Sequence, residues 1–305
     1  MNVAQLGPTA LPTLMQREGL CVQAGPFSFR LKSDVKRVYE AVGVLYADCA
    51  VLDRTVFCDF DVTLSYRRGA RRWVRPQVQF LFDGAPAFEP VPEGHAVPLL
   101  EWAMNWCISG HAHHFLLIHA AVLERNGRAV VFPAPPGSGK STLCAALMFR
   151  GWRLLSDEMA LIAPSDGAVW PLARPVGLKN ESIELIKVFE PSAVFTAPVK
   201  DTAKGTVAHF RVPSAQVSQS NTPAPVSWIV FPKYHKGQLA RLLPKPKAET
   251  MFDLTSNAFN YTLLGRQGFD CLCDMVSVAD CFSFEYSQLD DAIETFDRLA
   301  SKEPD

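Results

Sequence analysis

The feature that most constrains the fold is a glycine-rich loop between a predicted strand and a predicted helix. The apolar run at residues 128–132 leads into the sequence APPGSGKST at 134–142, and helical residues follow at 143–151. A loop of this composition that runs directly into a helix turns backbone N–H groups and the positive end of the helix dipole towards one point. The order strand, loop, helix therefore predicts an α/β chain with an anion site at the start of the helix.

The loop matches the Walker A pattern, with Ala134 at the position where the first glycine is usual. We expect the backbone N–H groups of 137–140 to surround a polyphosphate, Lys140 to neutralise its β and γ oxygens, and the Ser141 hydroxyl to coordinate Mg²⁺. A turn that merely connects strand and helix is the alternative, but the flanking elements favour binding of ATP with Mg²⁺. The predicted nucleotide-binding residues are Gly137, Ser138, Gly139, Lys140, Ser141 and Thr142.

Charge and cysteine content exclude several classes of protein. The chain has 305 residues with 30 Lys and Arg against 31 Asp and Glu, which gives no basic field for nucleic acid or an anionic bilayer. It contains no apolar run of about 18 residues and no basic N-terminal segment before an apolar core, so we expect neither a membrane span nor a signal peptide. The 8 cysteines are scattered, which is typical of reduced thiols in a cytoplasmic protein.

The first 95 residues are predicted to form a small α+β domain. The proline-rich stretch at 85–94 breaks the pattern and is the best candidate for a linker, so we place the domain boundary near residue 95. The predicted elements of this domain are a strand at 26–32, a helix at 33–46 with Ser33-Asp34 as its cap, and a hairpin of strands at 56–66 and 74–82.

Residues 96–305 are predicted to form the second domain, which contains the glycine-rich loop. An Asn126-Gly127 turn favours a tight hairpin just before the loop. The polar, proline-rich segment at 190–225 is expected to be a loop or lid. The other predicted elements are a helix at 96–110, strands at 115–123, 153–162, 169–172 and 228–231, and a final helix at 286–300.

Two further elements flank the loop in the sequence. His119 lies on a predicted strand 21 residues before Lys140, and Asp157-Glu158 follow an apolar stretch, with Asp157 17 residues after Lys140. With these elements the chain resembles the HPr kinase/phosphorylase family, and more closely its HPr-kinase-related serine kinases. The resemblance covers roughly residues 100–300 and is carried by Ile118-His119-Ala120, the loop at 134–142, and Leu154-Leu155-Ser156-Asp157-Glu158.

The resemblance implies a P-loop kinase domain of the HPr kinase C-terminal type that transfers phosphate from ATP to a serine hydroxyl. In the family the first acidic residue, here Asp157, takes the proton from the attacking hydroxyl. General chemistry supports that role, because a serine hydroxyl is a poor nucleophile at pH 7 and needs a carboxylate base and Mg²⁺. A Mg²⁺-ligand role for Asp157 stays open. Glu158 is expected to bind Mg²⁺ directly or through water.

His119 has two interpretations. The resemblance implies that it orients Asp157 or lies near the transferred phosphoryl group, whereas spacing alone would fit a core histidine bonded to a backbone carbonyl.

Three weaker hypotheses concern cations outside the motif. Arg174 is a candidate clamp for the γ-phosphate, Lys204 and His209 are candidates on the lid, and the arginines within 67–75 could receive an acidic partner or form a solvated hairpin.

The acceptor is the least constrained part of the prediction. The chain lacks the Arg-Gly signature of the bifunctional family members, with its nearest counterpart at 172–178, and the first domain does not resemble that of the HPr-specific enzyme. Related stand-alone kinases are associated with modified peptides, so a serine of a small protein or peptide is the expected acceptor. A small-molecule or carboxykinase-like kinase and a non-catalytic nucleotide-binding regulator are the alternatives, and homo-oligomerisation is left open.

Overall fold

The computed structural model describes residues 1–135 and 137–302, without the side chains of Ala70 and Arg71; Pro136 of the predicted loop lies outside the described residues. The fold is mixed α/β. The helices are α1 Gly7–Arg17, α2 Lys36–Leu45, α3 Ala96–His111, α4 Lys140–Phe149, α5 Glu181–Phe189, α6 Ser214–Val217, α7 Lys247–Asn257, α8 Tyr261–Leu264, α9 Arg266–Val278 and α10 Leu289–Ser301, with short 3-10 helices at Val3–Leu6, Ala70–Trp73 and Glu93–His95.

The strands of the described residues form three sheets. They are β1 Leu20–Ala24, β2 Phe27–Ser33, β3 Phe60–Tyr66, β4 Gln77–Phe82, β5 Ala85–Pro86, β6 Val91–Pro92, β7 Leu116–Ile118, β8 Ala120–Arg125, β9 Arg128–Pro133, β10 Arg153–Ser156, β11 Ala160–Ile162, β12 Ala168–Trp170, β13 Val176–Lys179, β14 Val199–Thr202, β15 Gly205–Phe210, β16 Ala224–Tyr234, β17 Arg241–Pro244 and β18 Asp280–Tyr286. Within the described ranges, no helix is long and apolar enough to cross a membrane.

The chain divides into two compact units. The first comprises Met1–His111, Arg174–Lys187 and Pro191–Gln219. It contains a six-stranded sheet in the order β1-β2-β3-β4-β5, with β6 paired to β4, and a three-stranded sheet in the order β13-β15-β14. Alternate side chains are buried along β3 and along β2 from Phe29 onward, as the period of a half-buried strand requires.

The second compact unit comprises Ala112–Ala173, Val188–Glu190 and Ser220–Asp305. Its nine-stranded sheet follows the order β10-β8-β9-β16-β12-β11-β7, with β18 paired to β16 and β17 paired to β18. Strands β9, β16 and β18 are adjacent and parallel, so their carboxyl ends meet at one edge of the sheet. The glycine-rich loop leaves β9 at that edge and leads into α4, which confirms the predicted order of strand, loop and helix.

Two predicted strands are broken at the same level of this sheet. The strand expected at 115–123 is interrupted at His119, and the strand expected at 153–162 is interrupted at 157–159. The reason is a change of partner, since β8 pairs with β10 whereas β7 pairs with β11. The two breaks therefore lie opposite each other, which brings His119 towards the acidic pair. Asn126 and Gly127 both have positive φ, as the tight β8–β9 turn requires.

Several sequence-based boundaries were wrong in the first unit. Helix α2 has Val35 at its N-cap with no side-chain capping bond, because the Ser33 hydroxyl donates to the Leu64 carbonyl and accepts from the Val35 N–H. The β3–β4 hairpin is confirmed, but its connection contains a 3-10 helix. The expected loop at 190–225 contains β14, β15 and α6, since these short strands pair with each other and with β13.

The compact units differ in extent from the predicted domains. The first unit continues to His111 and includes two later segments, whereas the sequence pattern places a boundary near residue 95 between 1–95 and 96–305. That boundary stays a prediction.

Candidate functional site

The glycine-rich loop has a backbone that requires glycine at two positions. Gly137 and Gly139 have φ of 87° and 89°, a region that side chains strongly disfavour. At Gly139 space is limiting as well, because a Cβ atom there would lie 2.5 Å from the Tyr286 hydroxyl and 3.0 Å from Tyr234 Cβ. Gly139 is also the N-cap of α4 and offers no side-chain acceptor. An anion is therefore a suitable partner for the N–H groups of the first helical turn.

Two tyrosines hold the loop in place. The backbone N–H of Tyr234 donates to the Ser138 carbonyl at 2.9 Å, and the Tyr286 hydroxyl donates to the Gly139 carbonyl at 3.0 Å. Burial raises the pKa of Tyr286 well above its usual value, so the hydroxyl keeps its proton and remains a donor at neutral pH. Sequence reasoning missed both residues. The feature that could have pointed to them is their position, since Tyr234 and Tyr286 are the last residues of two strands that run parallel to β9.

Lys140 is the first residue of helix α4, and its side chain is buried in the second unit. Its position fits the buried stripe of the helix, which also contains Leu143, Cys144 and Leu147 at helical spacing. Lys140 is 7% exposed, and its Nζ lies 3.1 Å from Nε2 of His119. The lysine predicted to bind phosphate is therefore in contact with the predicted site histidine.

His119 occupies the break between β7 and β8. Its backbone N–H donates to the Asn257 carbonyl at 2.8 Å, which fixes the backbone at this point. Its Nε2 atom lies 3.1 Å from Lys140 Nζ and 3.2 Å from Glu158 Oε2. A deprotonated Nε2 accepts from Lys140, whereas a protonated Nε2 donates to Glu158. One nitrogen therefore stands between a cation and an anion and can satisfy one of them at a time.

The acidic pair lies in the turn between β10 and β11. The Ser156 hydroxyl accepts a hydrogen bond from the Met159 N–H at 3.0 Å and so closes this turn. Asp157 is 5% exposed, and the Glu158 side chain is 29% exposed. Burial raises the pKa of the Cys144 thiol; the charge of Asp157 adds to the rise and that of Lys140 opposes it. Asp157 and Lys140 thus both lie near the first turns of α4.

A short segment after α7 completes the surroundings of His119. The Phe259 N–H donates to the Leu117 carbonyl at 2.8 Å. The buried Asn260 side chain accepts from the Leu117 N–H at 2.9 Å and donates to the Phe115 carbonyl at 2.8 Å. The half-exposed Phe259 ring lies 5.9 Å from the His119 ring, measured between centroids. Sequence reasoning missed this segment, because nothing local marks a loop that pairs with a strand about 140 residues earlier.

The available donors could hold a magnesium ion that arrives with a nucleotide. They are the half-buried Ser141 hydroxyl and the carboxylates of Asp157 and Glu158. Among the described residues, no three His, Cys, Asp or Glu side chains are grouped as a metal site. Mg²⁺ is commonly held by one or two carboxylates together with water and phosphate oxygens, so this small donor set fits that ion.

Other predicted cations belong to the first compact unit. Arg174 forms a buried ion pair with Glu101 at 2.7 Å and also donates to Asn105 at 2.6 Å. Lys204 lies over the Trp102 ring, with its Nζ 5.0 Å from the centroid, and His209 is buried in β15. The contacts of Arg174 and Lys204 and the burial of His209 are therefore all within the first unit.

The arginine-rich connection between β3 and β4 lies at the surface of the first unit. Arg67, Arg68 and Arg75 are exposed. Arg72 stacks over the Tyr66 ring at 4.7 Å and lies 3.6 Å from an Asp34 carboxylate oxygen. The exposure of these groups fits a solvated hairpin or an acidic partner equally.

The comparisons with known proteins concern the same region as the site. Residues 97–176 match the protein family described as SynChlorMet cassette protein ScmC. The matched segment is less than a third of the chain, and it contains His119, the loop at 134–142 and the Asp157-Glu158 pair. A comparison with curated proteins finds no match.

Proposed function

We propose that the chain is an ATP-dependent kinase that phosphorylates a serine of a small protein or peptide. The observation that carries the proposal is that Lys140 and Glu158 both contact Nε2 of His119, beside a glycine-rich loop at the start of a helix. We further propose that residues 96–305 form a P-loop kinase domain of the HPr kinase C-terminal type, preceded by a small α+β domain. The protein would act in the cytoplasm.

In this proposal the loop and Lys140 bind the triphosphate. The N–H groups of Gly137 to Lys140 donate to phosphate oxygens, and Lys140 leaves His119 to pair with the β and γ oxygens. His119 Nε2 is then free to take a proton and donate to Glu158, which keeps the carboxylate oriented. Mg²⁺, held by Ser141 and Glu158 when bound, would neutralise part of the phosphate charge.

Asp157 is the proposed general base. It accepts the proton of the serine hydroxyl while the bond between serine Oγ and the γ-phosphorus forms. The bond from that phosphorus to the β–γ bridging oxygen breaks, and ADP leaves with the electron pair. Burial suits this role, because charge interactions inside a water-poor site are stronger than in bulk water. Ligation of Mg²⁺ by Asp157 is the alternative role.

The description of the matched family as a cassette protein supports a search for the acceptor among products of neighbouring genes. A small-molecule or carboxykinase-like kinase would use the same loop with a different acceptor. A regulatory protein would bind nucleotide without turnover. The destination of the phosphoryl group separates these three functions.

The first test of the proposal is nucleotide binding. Titration calorimetry with ATP and Mg²⁺ should give saturable binding to the wild-type protein and none to Lys140→Ala, because the variant loses the positive charge that contacts the phosphates. Lys187→Ala, which removes a lysine paired with Glu184 in the first unit, is the matched control and should bind normally. Equal affinity of Lys140→Ala and the control would contradict the assignment of the loop.

A further inference from the structure

The mechanism leaves one aromatic side chain beside the loop without a role. Strands β9, β16 and β18 end at the same edge of the sheet, with Pro133, Tyr234 and Tyr286 as their last residues. Ligands of α/β proteins bind outside the carboxyl ends of parallel strands. The Tyr286 side chain holds the loop through its hydrogen bond to the Gly139 carbonyl. Tyr234 holds the loop through its backbone N–H, so its ring takes no part in that contact.

The Tyr234 ring is both accessible and held in a fixed position. Tyr234 is 48% exposed although it ends a central strand of the sheet. Its backbone N–H is bonded to Ser138, and its ring packs edge-on against Tyr286, with centroids 5.8 Å apart and an angle of 76°. Tyr286 is in turn stacked on Phe284. Tyr234 is therefore ordered before any ligand arrives.

The residues on both sides of Tyr234 in the sequence favour an anionic ligand. Lys233, His235 and Lys236 are exposed, and the sequence contains no Asp or Glu between residues 224 and 248. The turn after Tyr234 is closed by hydrogen bonds from the His235 N–H to the Tyr286 carbonyl and from the Gln238 N–H to the His235 carbonyl. An exposed aromatic ring beside a phosphate-binding loop and next to basic side chains suits a ligand with a flat ring and a charged tail.

We propose that Tyr234 is the stacking platform for the purine base of the nucleotide whose phosphates the glycine-rich loop binds. This inference rests on the proposed function and adds a base-binding subsite to it. Stacking uses the face of the base, so a single platform accepts ATP and GTP alike and does not choose between them. Because the hydroxyl plays no part in stacking, replacement of Tyr234 by phenylalanine should leave the nucleotide affinity unchanged.

The test separates the base from the phosphates of the ligand. With Mg²⁺ present, calorimetry would compare ATP, GTP and tripolyphosphate on the wild-type protein and on the Tyr234→Ala and Tyr234→Phe variants. Tyr234→Ala should weaken the affinity for ATP and GTP by about 5- to 100-fold, the usual range for loss of an aromatic platform under a base. The affinity for tripolyphosphate should not change. Tyr234→Phe should bind all three ligands like the wild type. Phe252→Ala, which removes an exposed ring on α7, is the control and should have no effect.

The other outcomes separate the failure of the base subsite from the failure of the proposed function. An unchanged ATP affinity in Tyr234→Ala, with normal binding by the wild type, overturns the platform and leaves the proposed function standing. Equal weakening of ATP and tripolyphosphate also overturns it, because Tyr234 would then act by supporting the loop. If the wild-type protein binds neither ATP nor tripolyphosphate, the proposed function is overturned, and the base subsite with it.

Discussion

The two compact units each contain a cluster of charged side chains, and the two clusters are satisfied in opposite ways. In the first unit, Arg174 donates to Glu101, Asn105 and Tyr46, and the side chains of Arg174 and Glu101 are each 5% exposed. In the second unit, His119 Nε2 stands between Lys140 and Glu158, with the His119 side chain 25% exposed. Similar groups thus form a closed network in one unit and a partly open one in the other.

The contrast distinguishes a cluster that we interpret as structural from one that we propose binds a ligand. Burial raises the pKa of Tyr46 well above its usual value and the pKa of Cys49 to about 12, so these groups stay neutral around the ion pair of Arg174 and Glu101. In the second cluster, Nε2 of His119 lies within hydrogen-bond distance of both Lys140 and Glu158 and can serve one of them at a time. In the proposed mechanism, a phosphate that draws Lys140 away leaves this nitrogen to Glu158.

The largest expected effect is that of Asp157→Asn in the second cluster. The amide keeps the size of the carboxylate but cannot accept the proton, so phosphoryl transfer should fall by about 10²–10⁴-fold while ATP affinity persists. Rapid-quench kinetics with labelled ATP measures the change, with Asp166→Asn, an exposed turn residue, as the control. A weaker affinity that is partly restored by raised Mg²⁺ would identify Asp157 as a metal ligand. Transfer near the wild-type rate would remove both roles.

The next largest effect concerns the stability of the first cluster. Glu101→Ala leaves the buried Arg174 without its carboxylate, and the free energy of unfolding should fall by about 3–5 kcal/mol. Urea unfolding measures the loss, with Glu184→Ala as a control that should cost less than about 1 kcal/mol, because its ion pair is exposed. Nucleotide affinity of the folded variant should stay normal. If Glu101→Ala abolished nucleotide binding and left stability unchanged, the division into a structural and a functional cluster would be wrong.

A smaller effect is expected for His119→Asn, which removes the nitrogen that both charged partners contact. Loss of a hydrogen bond to a charged group costs about 1.5–3 kcal/mol, which corresponds to about a 10- to 100-fold fall in transfer. The loss should appear in kcat more than in the KM for ATP, since Lys140 binds the phosphates without the histidine. His95→Asn, in the first unit, is the control. Equal kcat values for the two variants would exclude a role of His119 in orienting the site.

The smallest effect is a pattern of cysteine reactivity. Burial raises the pKa of Cys49 and of Cys107 in the first unit to about 12, so their thiolate fraction at pH 8 is about 10⁻⁴. Cys273 on α9 is partly exposed. Brief treatment with iodoacetamide at pH 8, followed by peptide mass spectrometry, should label Cys273 before the other two. Early labelling of Cys49 or Cys107 would show that the first cluster opens to solvent.

The parts of the molecule that the sequence predicts are those set by local backbone chemistry. Gly137 and Gly139 adopt conformations that favour glycine, and Asn126-Gly127 forms the tight turn that its sequence favours. The strand, loop and helix around Lys140 were therefore predictable within a few residues. The resemblance to the HPr-kinase-related serine kinases, rather than local chemistry, made His119 and Asp157 candidates, and their positions depend on how the sheet pairs.

The parts that the sequence does not predict depend on pairing between distant segments. The breaks at His119 and at 157–159 arise because consecutive strands change partners, and no local pattern encodes that change. Tyr234 and Tyr286 acquire their role only when β16 and β18 lie beside the loop. Strands β14 and β15 were predicted as a loop because their sequences, VKDT and GTVAHF, lack the alternation of apolar and polar residues that marks a half-buried strand, although the last four residues of β15 are buried.

The most direct test of the proposed function is the destination of the γ-phosphoryl group. The protein would be incubated with Mg²⁺, γ-labelled ATP and either cell extract or the products of neighbouring genes, with Asp157→Asn in parallel. The account predicts label in a protein or peptide, recovered as phosphoserine after hydrolysis, and none with the variant. Label found only in small metabolites would contradict the choice of acceptor. Bound nucleotide without any transfer would contradict the assignment as a kinase.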